Sequence, residues 1–342
     1  MKVAMYYSNN DVRLEDMSRP DIGEGELLVK VMASGICGSD VMEWYRIKTA
    51  PRVLGHEIAG EVAEVGKGVN GFSKGDRVFV SHHVPCNTCS HCLKGHHTTC
   101  DTLRSTNFDP GGFSEYIRVP RKNVDRGTFR LPENMTYEEG AFIEPLACVV
   151  RAQGIAGIKP GDSVLVMGSG IAGLLHIRLC LALGAEIVFA TDISDHRLRM
   201  ARDSGAQTIR ADKDIGSELR SMNNGRPADR VIVCTGAASA ARQAFGLVER
   251  GGTIMFFAVP KPGEDITAPL NEMWKNEIKV MTSYAAGPGD IRNSIKLIGS
   301  GRVRVKDMIS HRLSLEEAGK GFRLVADAGE SCKVVLFPHM RS

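Results

Sequence analysis

Four of the nine cysteines fall within one short stretch, CNTCSHCLKGHHTTC, as Cys86, Cys89, Cys92 and Cys100. The spacing is C-x2-C-x2-C-x7-C. Thiolates set two residues apart can converge on one tetrahedral ion, and four soft ligands close its shell. A closed shell braces a fold and leaves no position for a substrate, so the spacing points to a structural zinc. Iron–sulfur proteins use other spacings. A nucleic-acid finger would need a base-reading helix and a basic surface, and neither is present in the pattern. His91, His96 and His97 are surplus to the shell and read as solvent-facing.

A second set of donors is scattered. Cys37 lies in GICGSD, His56 and Glu57 in GHE, and Glu144 in IEPLACV. Singly, these read as a buried thiol, a capped turn and a surface carboxylate. Together they offer a thiolate, an imidazole and carboxylates, enough for three protein ligands and one exchangeable water. Such an open shell is what catalysis on an oxygen atom needs. Spacing alone does not unite them.

A third signal is Gly168-Ser169-Gly170-Ile171-Ala172-Gly173, a G-x-G-x-x-G that follows the strand-like SVLVM and opens a helix-like run. In that context the first glycine permits a tight turn and the second lets backbone approach a pyrophosphate. The third brings helix and strand together, with the helix N-terminus facing the anion. Asp192, at the end of the next strand-like run, would accept hydrogen bonds from ribose hydroxyls and repel a 2′-phosphate. NAD is expected over NADP, with Arg197 as the residue that argues the other way.

The elements that must hold these groups change in texture along the chain. The first 150 or so residues carry short β-like runs between glycines (ELLVKVMASG, EIAGEVAEVG, GDRVFVSHH, FSEYIRVP), as in an all-β or α+β module. Beyond about residue 155, strand-like and helix-like runs alternate, from GDSVLVMGSG and IAGLLHIRLCLALGA to TIMFFAVP. Alternation of this kind means βαβ units and a parallel sheet with helices on its faces. The tail after 286 fits either part.

With 342 residues, 43% hydrophobic and 24% charged, the chain has the composition of a globular protein of about two domains. A net charge of +3 gives no reason to expect DNA or a membrane surface as partner. The opening run MKVAMYYSNNDVRLEDM lacks a long apolar core, so an export signal is not expected. A cytoplasmic, reducing compartment follows, where clustered cysteines bind metal more often than they form disulfides.

The motif GHEIAGEVAEVGKGV fits G-H-E-x2-G-x5-G-x2-V. With the cysteine lobe, GDRV, GGFSEY, the glycine loop and the acidic strand end in that order, the chain resembles the zinc-dependent medium-chain alcohol/polyol dehydrogenases, nearly end to end. The resemblance implies a GroES-like β-rich catalytic domain (1–153 and 287–342, with the structural-zinc lobe at 86–100) and an inserted Rossmann NAD-binding domain (154–286). It implies two zinc ions per chain: a catalytic one on Cys37, His56 and Glu144, with Glu57 nearby or alternating as ligand, and a structural one on the four cysteines. EPLA at 144–147 resembles the sorbitol-dehydrogenase branch, in which the third ligand is Glu. Cys148, a turn later, is the rival.

The reaction so implied is reversible oxidation of a secondary hydroxyl of a polyol, sugar or related hydroxy compound by NAD. Ser39 matches the family's Ser/Thr that bonds the alcohol oxygen and starts proton export; it could also cap a helix beginning near Asp40. Met42 stands where several relatives continue the relay with histidine. Trp44, Tyr45, Arg46, Ser283 and Tyr284 are candidate pocket residues, and Arg46 and Arg104 would suit an anionic handle. Alternatives are a threonine-type dehydrogenase, or a non-catalytic protein that binds NAD and zinc. A homo-oligomer, dimer or tetramer, is the family's habit.

Overall fold

The structure, a computed structural model, describes residues 1–340. The chain divides into two compact units. One joins Met1–Ala147 to the segment from Ala286 onward, and the other is Cys148–Ala285. The first division falls inside a continuous helix, Ile143–Ala156, where the sequence had suggested 153/154. Among the described residues no helix is long and apolar enough to cross a membrane.

The first unit carries β1 (Lys2–Ser8), β2 (Asp11–Asp16), β3 (Leu27–Gly35), β4 (Arg52–Val53), β5 (Glu57–Val65), β6 (Arg77–Val80), β7 (Tyr116–Val119) and β8 (Thr128–Arg130). The second carries β9 (Ser163–Met167), β10 (Ile187–Asp192), β11 (Gln207–Arg210), β12 (Ala228–Val233), β13 (Val248–Phe256) and β14 (Lys279–Thr282). The chain then returns to the first unit with β15 (Ile309–Ser314) and β16 (Lys333–Phe337).

In the first unit β2, β1 and β4 form a small antiparallel sheet, while a seven-stranded sheet runs β15-β16-β3-β5-β6-β8, with β7 also on β3. β3 is mostly buried, and Leu27, Val29, Val31, Ile58, Val62, Val78 and Val80 from three adjacent strands share one apolar cluster. The late strand β16 lies beside β3, Val335 opposite Gly35 and Leu336 opposite Ser34. The tail is thus a structural member of the sheet that carries Cys37.

The second unit is one parallel sheet in the order β11-β10-β9-β12-β13-β14. Counted along the unit this is 3-2-1-4-5-6, the doubly wound dinucleotide-binding order, whose ligand crevice opens where the order reverses, between β9 and β12. SVLVM of β9 is buried throughout, as a central parallel strand covered on both faces must be. The crossovers include the helices Ile171–Ala182 and Asp195–Asp203; Ser194 caps the second by accepting from the Arg197 N–H at 3.4 Å. At the far edge all four residues of β14 are exposed.

Candidate active site and metal centres

Cys37 sits in the turn after β3, and His56 and Glu57 stand at the entry to β5. The antiparallel register sets Gly35 opposite Glu57. One ligating atom from each of Cys37, His56 and Glu57 lies within 4.8 Å of the others. Glu144, in the first turn of Ile143–Ala156, is outside that set.

Behind these residues stand two that the sequence reading passed over. Asp40 is buried, accepts the Cys37 N–H at 3.0 Å through Oδ2, and holds Oδ1 3.4 Å from Nδ1 of His56. Burial disfavours the imidazolium, but the charges of Asp40 and Cys37 outweigh it and hold His56 well above the ordinary histidine range. Lys333, the first residue of β16, is 1% exposed and pairs closely with Glu57, also 1% exposed. Burial again works against the ammonium, and the charges of Glu57 and Cys37 raise it nonetheless; Glu144 adds to the effect. Gly35 makes room for this pair. A Cβ there would run into the Glu57 carboxylate and come within 2.7 Å of Cε of Lys333.

His82 and His83, after β6, extend the cluster. The His56 and His82 rings are 4.9 Å apart and the His82 and His83 rings 3.8 Å. Burial lowers both, His82 well below the ordinary range and His83 to about 4, so both are neutral near pH 7. In the sequence SHHVPC they read only as a strand end.

The four-cysteine lobe is built locally. Its four sulfurs lie within 4.8 Å of one another, and none is in a disulfide. The N–H groups of Thr88 and Cys89 point at Cys86 Sγ from 3.4 and 3.2 Å, and that of Cys86 points at Cys100 Sγ from 3.4 Å. Hydrogen bonds from Thr88 and Cys89 pull Cys86 down to about 5, whereas burial beside Cys89 pushes Cys92 up to about 12. Four adjacent sulfurs can all be thiolates only with a cation among them. His91 and His96 are exposed and His97 half-buried.

In the second unit Gly168 follows β9 with φ of 97°, and a Cβ would press on Thr235 and Cys234 from about 3.1 to 3.2 Å. Gly170, at the cap of Ile171–Ala182, has open space where its Cβ would be, and Gly173 packs directly on the Gly168 carbonyl. These are the three glycine roles of a pyrophosphate loop. Asp192, at the C-terminal end of β10, accepts N–H bonds from Ser169 and Ser194, each at 2.9 Å. Its carboxylate therefore braces the glycine loop itself. Arg197 approaches it to 4.0 Å.

Comparison with known proteins places this arrangement. The family profile described as alcohol dehydrogenase GroES-like domain matches residues 23–132, and that described as zinc-binding dehydrogenase matches 172–300. Sorbitol dehydrogenase of Bacillus subtilis (strain 168) is 31% identical, over 99% of this chain and 98% of that protein. D-xylulose reductase A of Aspergillus oryzae (strain ATCC 42149 / RIB 40) is 32% identical over 95% and 93%. A chain from Sinorhizobium meliloti 1021, solved with NADP bound, superposes with a TM-score of 0.86 at 30% identity, covering 98% of this chain and 99% of its own. This chain is a zinc-dependent medium-chain dehydrogenase.

Zinc and a nicotinamide dinucleotide are the cofactors of this dehydrogenase. Both donor sets fit zinc: four sulfurs make a closed shell, and thiolate, imidazole and carboxylate make an open one. The remaining candidates fare unevenly. No helix begins at Asp40; the first helical turn is Glu43–Arg46, with Met42 at its N-cap position and no side-chain cap, so Ser39 does not cap it. The Arg46 side chain is only 16% exposed and turns onto Ser39 and Asp40, away from the role of a free anionic handle. Trp44 and Tyr45 are exposed. Ser283, whose buried Oγ lacks a partner, and the exposed Tyr284 follow β14 in the second unit. Arg104 points its Nε at the Thr98 carbonyl within the lobe, at 3.4 Å.

Proposed function

We propose that this dehydrogenase oxidises a secondary hydroxyl of a polyol or sugar-like compound with NAD, reversibly, giving the ketone, NADH and a proton. The observation that carries the reading is the convergence of thiolate, imidazole and carboxylate backed by the buried Asp40 and Lys333. Cys37 and His56, with Glu57 or Glu144, would hold the catalytic zinc, and Cys86, Cys89, Cys92 and Cys100 the structural one. Bound there, zinc supplies a Lewis acid for the substrate oxygen and the nicotinamide supplies the hydride acceptor.

The chain's own residues do the rest. Asp40 orients the His56 ring through Nδ1, the usual outer partner of a ligating imidazole. Lys333 balances the charge of the buried Glu57 carboxylate, which stands within reach of the Cys37 and His56 donors; Glu144, outside that set, would be the alternate carboxylate. Ser39 takes the substrate proton and passes its own to water. The loop Gly168–Gly173, with Ile171 and Ala172 opening the helix, receives the pyrophosphate, and Asp192 favours NAD; Arg197, 4.0 Å away, softens that preference. The B. subtilis relative is a sorbitol dehydrogenase and the A. oryzae one a xylulose reductase, which supports polyol and ketose as the substrate pair. We place the protein in the cytoplasm and as a homo-oligomer, pairing through the exposed edge of β14; Leu270 and the 81%-exposed Trp274, in the helix that precedes β14 in the chain, are also uncovered.

The test is NADH appearance with sorbitol, xylitol, galactitol, aldonates, sugar phosphates, threonine and 2-butanol, with NADP in parallel. Turnover of one polyol class, faster with NAD, is expected. Turnover of threonine alone would replace this reading with the amino-alcohol one. Silence in protein holding a single zinc would point to a non-catalytic role. Light scattering of Val280→Lys should show a smaller particle than the parent; an unchanged mass would remove the β14 interface.

A further inference from the structure

Arg46 is engaged in a way the reaction above does not require. From the end of the Glu43–Arg46 turn it folds back on the residues following Cys37. Its Nε–H donates to the Ser39 carbonyl at 2.9 Å, and its Nη2 donates to Ser39 Oγ at 3.1 Å. The same Nη2 lies 3.6 Å from Oδ1 of Asp40. One planar fork thus grips both the backbone and the side chain of a single serine.

The chemistry of the two groups settles the direction of the bond. A guanidinium has five N–H donors and no acceptor, and it stays charged at any working pH. At the 3.1 Å contact Ser39 Oγ must therefore accept. A serine hydroxyl has one O–H and two lone pairs; Arg46 occupies one pair and leaves one pair and the proton. Rotating the side chain would forfeit the Nη2 bond, while the Nε bond keeps the peptide from following.

We propose that Arg46 is a positioning residue: it locks the Ser39 hydroxyl so that the free lone pair receives the substrate proton while the serine's own proton leaves to water. In that exchange one O–H bond forms at Oγ as another breaks, and the serine ends neutral. The adjacent positive charge eases departure of the serine's own proton to water, so that Oγ carries partial negative charge as it takes the substrate proton. Arg46 itself can take no proton, so export runs away from it. The inference rests on the reading that Ser39 accepts the substrate proton.

A mutant cycle separates the two claims. Parent, Arg46→Met, Ser39→Ala, the double variant and Arg46→Lys are assayed with NAD and the fastest alcohol of the panel, and zinc is counted in each. Arg46→Met is expected to lower kcat about tenfold or more with KM within about twofold, because a misplaced group costs rate rather than binding. The double variant should be no slower than Ser39→Ala. Zinc should stay at about two per chain, added guanidinium ion should restore part of the rate to Arg46→Met, and Arg46→Lys, lacking the fork, should stay impaired.

Additive losses in the double variant would overturn the positioning role. So would loss of zinc, which would route the effect through Asp40 and His56, or a raised KM with kcat intact, which would make Arg46 a substrate handle. Ser39→Ala with the parent's rate would instead overturn the underlying reading of Ser39, and the inference with it.

Discussion

The two candidate metal centres of the first unit are built in opposite ways. The cysteine lobe draws all its candidate ligands from one continuous stretch, 86–100, and holds its sulfurs by N–H bonds that stay within that stretch, none reaching farther than from Cys86 to Cys100. The other cluster gathers Cys37, Asp40, His56, Glu57 and Lys333, and the Glu57–Lys333 pair joins residues 276 positions apart in the chain. A site that only braces needs four like ligands and no tuning. A site meant to act on an oxygen needs unlike ligands, an open position and buried charges that set the state of each group. Only the sheet, with β16 closing on β3, can bring those charges together.

The sharpest test of the contrast removes one ligand from each centre. Cys37→Ala is expected to abolish turnover, keep its fold by circular dichroism, and fall from about two zinc ions per chain to about one. Cys89→Ala should reach the same zinc count by losing the lobe's ion. It should keep kcat per remaining zinc near the parent value while its lobe becomes sensitive to protease. Were Cys89→Ala as inactive as Cys37→Ala per remaining zinc, the division of labour between the two centres would not stand.

Next in size is the buried ion pair. Lys333→Met leaves the Glu57 carboxylate buried without its partner, an outcome that typically costs about 3–5 kcal/mol. Urea unfolding should show a loss of that order. Adding Glu57→Gln should recover most of it, since pairs replaced on both sides are often near neutral. If the double variant is as unstable as the single, Lys333 is held by packing and not by Glu57.

This pair also marks where the sequence stopped being readable. The doubly wound sheet was legible because the alternation of SVLVM, EIVFATD and DRVIVCTG with helix-length runs is local information. The cysteine lobe was legible for the same reason. Lys333 was not: in ESCKVVLF it is a lysine at the start of a strand, and nothing nearby says that it is fully buried against Glu57. Asp40 and Arg46 were in plain view, yet the expectation of a helix starting near Asp40 gave Ser39 a capping role that the turn 37–42 does not contain. What fixes Arg46 is a contact to a residue seven positions back, and spacing rules for helices and strands do not report such contacts.

A smaller effect is expected one layer out from the ligands. Asp40→Asn keeps the size of the side chain and can still accept from the Cys37 N–H, but it loses the charge facing His56. Outer partners of ligating histidines typically account for about 10–100-fold in metal affinity or activity. Chelator competition should therefore strip one zinc from Asp40→Asn at correspondingly lower chelator, with the lobe's zinc unaffected. Equal resistance of both ions would mean that His56 needs no orienting partner.

The smallest effect belongs to the lobe's surplus histidines. His91 and His96 are exposed, His97 is half-buried, and four sulfurs already lie close enough to share an ion. Replacing all three histidines by alanine should leave zinc content unchanged and stability within about 0.5 kcal/mol, as for surface changes away from any special contact. The comparison makes this near-silent variant informative. If it lost one zinc, an imidazole would be completing the lobe's shell, one cysteine would be free, and the lobe would share the mixed-ligand character that now separates the Cys37–His56 cluster from it.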